Sequence, residues 1–398
     1  MRTTVAVVEF GTSKIVTLVA ADNPNNHSDL LGAGVASYDG FCLEDDTHPS
    51  SWNDPEHLNE AIARSVQEAE AQTHSRLREV HVGVPGGFCE TFTVIANLDL
   101  QGADPHVTPD QIDKVFEIGE QMLPPCPGVI IHRSPAWFSV DNGQHTLEPV
   151  GMKGRVLSAM ISFVYADRMF INDVTARMNS LGLTVRGFYS SASAQATLYI
   201  PEEERDHTAV LIDVGYLQTD IIVVEGDAVT CHSTIPVGGG HIAADLAFGL
   251  EIDLDVAEQL KRQYCFSPVP DNQEYVVATA DNRTFKHEEI RSIVEERAEE
   301  IAVMVNKELE TRGVRLGSWS NLYLTGGGLA MNKGGRDFFS AKIGRTVRDL
   351  PKRSVKLHSP IYTSVLGLVD LVIDSCIKQS ALIADSNPVT RFFRNLLN

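Results

Sequence analysis

Two short stretches carry residues whose types and spacing could handle phosphate. One runs Leu211-Ile212-Asp213-Val214-Gly215-Tyr216-Leu217-Gln218-Thr219-Asp220-Ile221-Ile222. Apolar residues lead up to Asp213 and a β-branched run leaves after Asp220, so the pattern predicts strand, tight turn, strand. A carboxylate at such a turn can hold a hydrated cation, and Gly215 can take the positive φ of a sharp reversal. The other runs Val5-Ala6-Val7-Val8-Glu9-Phe10-Gly11-Thr12-Ser13-Lys14-Ile15-Val16. It has the same order of apolar strand, acid, Gly two residues later, small hydroxyl residues and a second strand. Either stretch alone is also what an ordinary β-hairpin looks like. Two copies about 200 residues apart point to a duplicated domain, each turn offering N–H groups and hydroxyls to phosphate oxygens.

Two further glycine turns follow. Gly238, Gly239 and Gly240 lie between a strand and a helix expected over 242–250, an arrangement that presents helix N-terminal amides to an anion. Gly326, Gly327 and Gly328, ahead of Leu329, close a strand beginning near Asn321.

The elements that must position these turns are legible in outline. Strands are expected over 5–20, 30–38, 80–84, 156–165 and 185–189. Helices are expected over 55–75, capped by Asn53 or Asp54, over 167–181, over 190–198, over 256–264, over 286–311 and over 363–377. Between Gly86 and Phe163 the periodicity shortens and prolines cluster at 124, 125 and 127. That stretch, with a helix at 109–123, reads as an inserted small α+β subdomain, or else as a long irregular excursion of the first domain. Gln195 reads as an ordinary helix-surface amide rather than a group that orients water.

The chain has 398 residues and a net charge of −20 with a pI near 5.0. That length suggests two or more domains. The charge excludes a broad phosphate-neutralising surface, so no nucleic-acid partner is expected. Six scattered cysteines with no C-x-x-C pair suit a reducing compartment. No signal peptide and no apolar run of membrane-spanning length are expected.

The four turns in order, across about residues 5 to 375, resemble the actin–Hsp70–sugar-kinase superfamily. The resemblance implies an α/β fold of two related actin-like (ribonuclease H-like) domains around a nucleotide cleft. Within it the chain most resembles the FtsA family of actin-like bacterial cell-division proteins. Glu9-Phe10-Gly11-Thr12-Ser13-Lys14, the position of the insert, and the runs Ile235-Pro236-Val237-Gly238-Gly239 and Ala257-Glu258-Gln259-Leu260-Lys261 carry that resemblance. It implies domain 1 (1A) over 1–85 and 164–205, a 1C-like insert over 86–163, domain 2 (2A) over 206–250 and 318–384, a 2B-like subdomain over 251–317, and a linker and tail over 385–398.

The resemblance also implies a site for ATP and Mg. Gly11, Thr12, Ser13 and Lys14 match the first phosphate turn, and Asp213, Gly215 and Gln218 the second. Glu9 and Asp213 would organise Mg through its waters. Gly238, Gly239 and Gly240 would face the nucleotide, Glu258 and Lys261 the ribose and base, and Gly326, Gly327, Gly328 and Leu329 the adenosine. The implied partners are an FtsZ-like tubulin homologue, further copies of the chain, and membrane lipid at the cytoplasmic face of the division site.

The tail has its own physics. From Pro388 onward there are two Arg and no acid. As a helix, Phe392, Phe393, Leu396 and Leu397 share a face beside Arg391 and Arg394, a composition suited to a membrane interface. One departure bears on catalysis. The family's second turn usually reads Asp-x-Gly-Gly-Gly-Thr, whereas Tyr216 and Leu217 stand here in place of two glycines. They are expected to crowd the phosphate amides and to carry the cost of a positive φ. The expected activity is therefore at most that of a weak ATPase. Alternative readings are a small-molecule or sugar kinase of the same superfamily and an actin-like scaffold of a pilus-assembly machine.

Overall fold

A computed structural model describes residues 2–23, 26–43, 50–270, 273–277, 283–351 and 359–384. The chain begins with strands β1 (Thr4–Phe10), β2 (Lys14–Asn23) and β3 (Asn26–Ser37), then a short pair, β4 (Phe41–Cys42) and β5 (Ser51–Trp52). Helix α1 (Pro55–Thr73) follows. Its N-cap Asp54 accepts bonds from the N–H groups of Glu56 and His57, and Pro55 stands where no intrahelical donor is needed. Strand β6 (Glu79–Val84) leads into the insert, made of β7 (Cys89–Asp99), α2 (Pro109–Gln121), β8 (Val129–Val140) and β9 (Val156–Ala166). The chain returns through α3 (Arg168–Ser180), β10 (Thr184–Ser190), α4 (Ser191–Tyr199) and α5 (Glu202–Arg205).

The second half contains β11 (Ala209–Val214), β12 (Thr219–Glu225), β13 (Ala228–Ile235), α6 (Gly239–Leu250) and α7 (Leu254–Gln263). After these come β14 (Glu274–Val277), β15 (Arg283–Lys286), α8 (His287–Thr311), β16 (Asn321–Thr325), α9 (Gly335–Ile343), β17 (Val347–Asp349) and α10 (Thr363–Ala384).

Two five-stranded sheets dominate, in the orders β10-β6-β1-β2-β3 and β13-β12-β11-β16-β17. Each has three antiparallel strands in sequence, with two later strands added in parallel beside the first. The duplication expected from the two acid-Gly turns is thus a duplication of whole sheets. β1 and β11 are central and buried on both faces, which is why they read as unbroken apolar runs.

Both faces of each sheet are covered. On the first sheet, Val8, Phe10 and Val82 pack with Leu58 and Ile62 of α1 and Phe170 and Val174 of α3. On the second, Val210, Ile212 and Leu324 pack with Ala298, Ile301 and Val305 of α8. The insert is a three-stranded antiparallel sheet, β7-β9-β8, with Ile112, Val115 and Phe116 of α2 on one face. It leans on the second domain at the β12–β13 turn. Ser162 Oγ donates to Val229 O at 2.6 Å, and Asp227 N donates to Pro135 O at 3.1 Å.

Two expectations are corrected. Residues 359–384 do not belong with the second domain. Val365, Leu368, Val369, Val372 and Ile373 of α10 pack on Val5, Val7, Val16 and Leu18 of the first sheet. The helix was expected from the sequence, but nothing local in the sequence says which sheet a helix covers. The same stretch, Pro360–Lys378, also has the length and composition of a membrane span, with mean hydropathy 1.5. Asp370 and Asp374 interrupt its apolar run in the sequence, and Val365, Leu366, Leu368, Val369, Val372 and Ile373 are buried against the first domain. The amphipathic tail, with Arg391, Phe392, Phe393, Arg394, Leu396 and Leu397, lies outside the described residues.

Candidate nucleotide site between the domains

The β1–β2 and β11–β12 turns face each other across the interdomain cleft. They close in the same way: Gly11 N donates to Lys14 O at 3.0 Å, and Gly215 N donates to Gln218 O at 2.8 Å. A direct bond joins them, from Leu217 N to Thr12 Oγ1 at 3.0 Å. In the first turn, Tyr38 Oη donates to Gly11 O at 2.5 Å. Among the described residues, the N–H groups of Thr12, Ser13 and Tyr216 have no hydrogen-bond partner. All three residues are half-buried, and Thr12 lines the cleft.

Three carboxylates line that cleft, Glu9, Asp213 and Asp220, with Gln195, Gln218 and Ser364 beside them. Glu9 accepts from Ser364 Oγ at 2.7 Å. Asp213 accepts from Gln195 Nε2 at 2.8 Å, and that amide also donates to Thr363 Oγ1 at 2.7 Å. Asp220 accepts from Thr234 Oγ1 at 2.6 Å and lies 3.1 Å from His232 Nε2. Burial pushes the Asp213 carboxyl up to about 7, and the charges of Asp220 and Glu9 push the same way against the Gln195 bond. Burial raises Glu9 as well. Acids that resist ionising chiefly because they are buried, with further carboxylates beside them, make an oxygen-rich site that a hard divalent cation would relieve. The donor set therefore fits Mg²⁺.

Lys14 is the cation nearest this cluster, and burial lowers its pKa while Glu9 and Asp213 raise it. Its ammonium donates to Ile361 O at 3.3 Å and stands 5.0 Å from the centre of the Tyr362 ring. It braces the start of α10 instead of extending into the first turn.

Four readings of the site residues change. Gln195 is 1 % exposed and bonded to the central carboxylate, not an amide on a helix surface. The composition of α4 hides this, because the helix packs on both sheets and small residues fill its buried positions on either side of Gln195. Second, Tyr216 and Leu217 are not among the residues with positive φ, and neither is Gly215, so the turn carries none of the expected backbone cost. Third, Gly239 and Gly240 do not offer their amides to a ligand. Gly239 N donates to Gly215 O at 2.9 Å and Gly240 N donates to Tyr216 O at 2.7 Å. Gly328 N likewise donates to Val214 O at 2.7 Å. These glycines clamp the second turn from two sides. A Cβ on Gly239 would stand 2.4 Å from Gly328 Cα, so only glycines allow the approach. Fourth, Leu329 is fully buried in the core of the second domain and presents no side chain to the cleft.

The remaining expected residues gather on the second domain's side. Gly238 caps α6, and Gly326 takes a left-handed φ of 91° against Asp213. Gly327 packs against Ile361. Lys261 is 2 % exposed and donates to Glu258 Oε2 at 2.7 Å, while Arg262 Nε donates to Glu258 Oε1 at 2.8 Å. Sequence reasoning missed Asp220, Ser364 and Thr363 as site residues. Asp220 was within reach, as an acid at the exit of the second turn. Ser364 and Thr363 had no signal, because they enter only through the packing of α10 on the first sheet.

Comparison with known proteins agrees with this architecture. Residues 210–367 match the family model described as cell division protein FtsA, and residues 86–165 match the SHS2 domain inserted in FtsA. The chain is 24 % identical to the cell division protein FtsA of Pseudomonas aeruginosa, covering 91 % of this chain and 87 % of that one. It is 22 % identical to FtsA of Bacillus subtilis, covering 91 % and 82 %. Among solved structures, the PilM–PilN type IV pilus biogenesis complex is similar with a TM-score of 0.63 at 18 % identity, over 94 % of this chain and 99 % of that one. MreB5 of Spiroplasma citri bound to AMPPNP is similar with a TM-score of 0.54 at 10 % identity, over 96 % and 99 %. The chain is an FtsA-like cell-division protein with the two-domain actin-like fold and its inserted subdomain.

Proposed function

We propose that this FtsA-like protein binds Mg-ATP between its two domains, self-assembles, and tethers a filament of an FtsZ-like tubulin homologue to the cytoplasmic face of the membrane. The single observation that supports the nucleotide part is the pair of turns closed by the same bond and facing each other over three carboxylates. In this reading the N–H groups of Thr12, Ser13 and Tyr216 receive phosphate oxygens. Glu9 and Asp213, with Asp220 beside them, hold the cation through its waters. Gln195 fixes the orientation of the Asp213 carboxylate through its bond at 2.8 Å. Glu258 and Lys261 face the ribose and base, and Gly326 and Gly327 lie beneath the adenosine. When bound, Mg²⁺ would neutralise phosphate charge.

The second turn carries Tyr216 and Leu217 where the family pattern has glycines, so phosphate release is expected to stay close to background. Membrane attachment rests on the composition of Arg391, Phe392, Phe393, Arg394, Leu396 and Leu397. Co-sedimentation with vesicles containing anionic lipid tests it. The full chain is expected to pellet and a chain ending at Asp385 to stay in solution. Equal pelleting of both would contradict the tether.

A further inference from the structure

We propose that Tyr216 is the gate of the nucleotide site: its ring occupies the nucleoside side of the cleft and competes there with a nucleoside triphosphate. This rests on the nucleotide reading above and goes beyond it, because it assigns one side chain of this chain the control of admission.

The ring is seated between the two elements expected to take the nucleotide. Below it lies the start of α6. A Cβ built on Gly240 would stand 2.9 Å from Cε1 and Cζ of Tyr216, so the ring lies against Gly240, the last glycine of the triplet. Above it lies α7, where Lys261 Nζ is 5.4 Å from the ring centre. A cation at that distance over an aromatic face is an attractive contact. The lysine is itself held by Glu258 at 2.7 Å, and Glu258 by Arg262 at 2.8 Å. The ring thus has a floor of backbone and a roof made by an ion-paired ammonium.

The turn itself is not the obstacle. Tyr216 O is fixed by Gly240 N at 2.7 Å, and the residue has no positive φ. Rotation about the side-chain bonds can therefore move the ring while the turn stays clamped. A nucleotide can offer Lys261 a ribose or phosphate oxygen in exchange for the ring face, which makes displacement a trade between two contacts with the same ammonium.

A gate of this kind lowers apparent affinity by the fraction of molecules that are open, so a ring in place in nine molecules of ten weakens binding about tenfold. The test is calorimetric titration of Mg-ATP into the full chain and into Y216F, Y216A and Y216G. Y216F should bind as the parent does, and Y216A and Y216G should each bind at least about tenfold tighter. Equal affinity for the parent and Y216A would overturn the gate. Tightening confined to Y216G would overturn it too, by placing the effect in the backbone. Absence of binding in all four proteins would instead sink the nucleotide reading. Y216W keeps an aromatic ring in place and guards against misfolding of the truncated variants. Its emission should shift to the red on saturation with Mg-ATP, and an unchanged spectrum at saturation counts against the gate.

Discussion

The turns at Gly11 and Gly215 share a backbone and differ in what surrounds it. Both are closed by one bond from glycine N–H to the carbonyl three residues on. The first is built from small residues, with Thr12 and Ser13 at its tip. The second carries Tyr216 and Leu217 at the same places, and three glycine amides, from Gly239, Gly240 and Gly328, are spent holding it. Duplication has preserved the geometry that follows from strand pairing. Side-chain occupancy, which strand pairing does not control, has diverged. One half of the site is thus open and lightly braced, and the other is filled and tightly braced.

The most severe way to break the comparison is to add a methyl group to each half. In G239A the new Cβ would stand 2.4 Å from Gly328 Cα and 2.9 Å from Gly328 O, so backbone must move. A loss of roughly 2–4 kcal/mol is expected in denaturant unfolding. In G11A the nearest atom is Lys14 O at 3.2 Å, and the loss should stay below about 1 kcal/mol. Equal losses would show that the second turn is not the more tightly braced.

Between the turns stands Asp213, whose carboxyl burial pushes from 3.8 to about 7. Its folded pKa lies above the unfolded one, so from pH 4 to pH 7 the unfolded chain binds fewer protons at this group. Stability from this residue therefore falls as pH rises through that window. The span from 3.8 to about 7 sets an upper bound of about 4 kcal/mol. The difference in unfolding free energy between the parent chain and D213N should shrink or reverse from pH 4 to pH 7, and 10 mM MgCl₂, a concentration of roughly the order used to saturate weak cation sites, should reduce the slope. A pH-independent difference would remove the buried-charge account.

The smallest effect sharpens how the halves are joined. T12V deletes the acceptor of the Leu217 N–H. About 1 kcal/mol of stability should be lost, and hydrogen exchange at Leu217 should speed up. Unchanged exchange there would mean the cross-domain bond does not hold the turns together.

Much of this was legible in the sequence. The strands around Glu9 and Asp213 were, because buried central strands are apolar without interruption and acids rarely end them by accident. The cap of α1 was legible to within one residue, Asn53 or Asp54, since capping needs only neighbouring residues, and Asp54 is the cap. What escaped depends on contacts between distant segments. Gln195 joins Asp213 and Thr363, residues from three separate stretches, and no spacing rule brings those together. The helix at α10 was legible, but not the sheet it covers. The backbone of Tyr216 was misjudged because a glycine in a family pattern can mark close approach of another chain segment as well as positive φ, and here approach is the relevant reason. The glycines that permit it are Gly239 and Gly240.

The central claim is that the two turns and the carboxylates between them form one site for Mg-ATP. Thermal unfolding of the full chain with and without 5 mM Mg-ATP, roughly the millimolar range in which mass action becomes visible for a weak native-state ligand, tests it most directly. A rise in Tm that needs both Mg²⁺ and ATP, and that D213N abolishes, is the predicted result. A Tm that stays the same in the parent chain, or that rises equally in D213N, would contradict it.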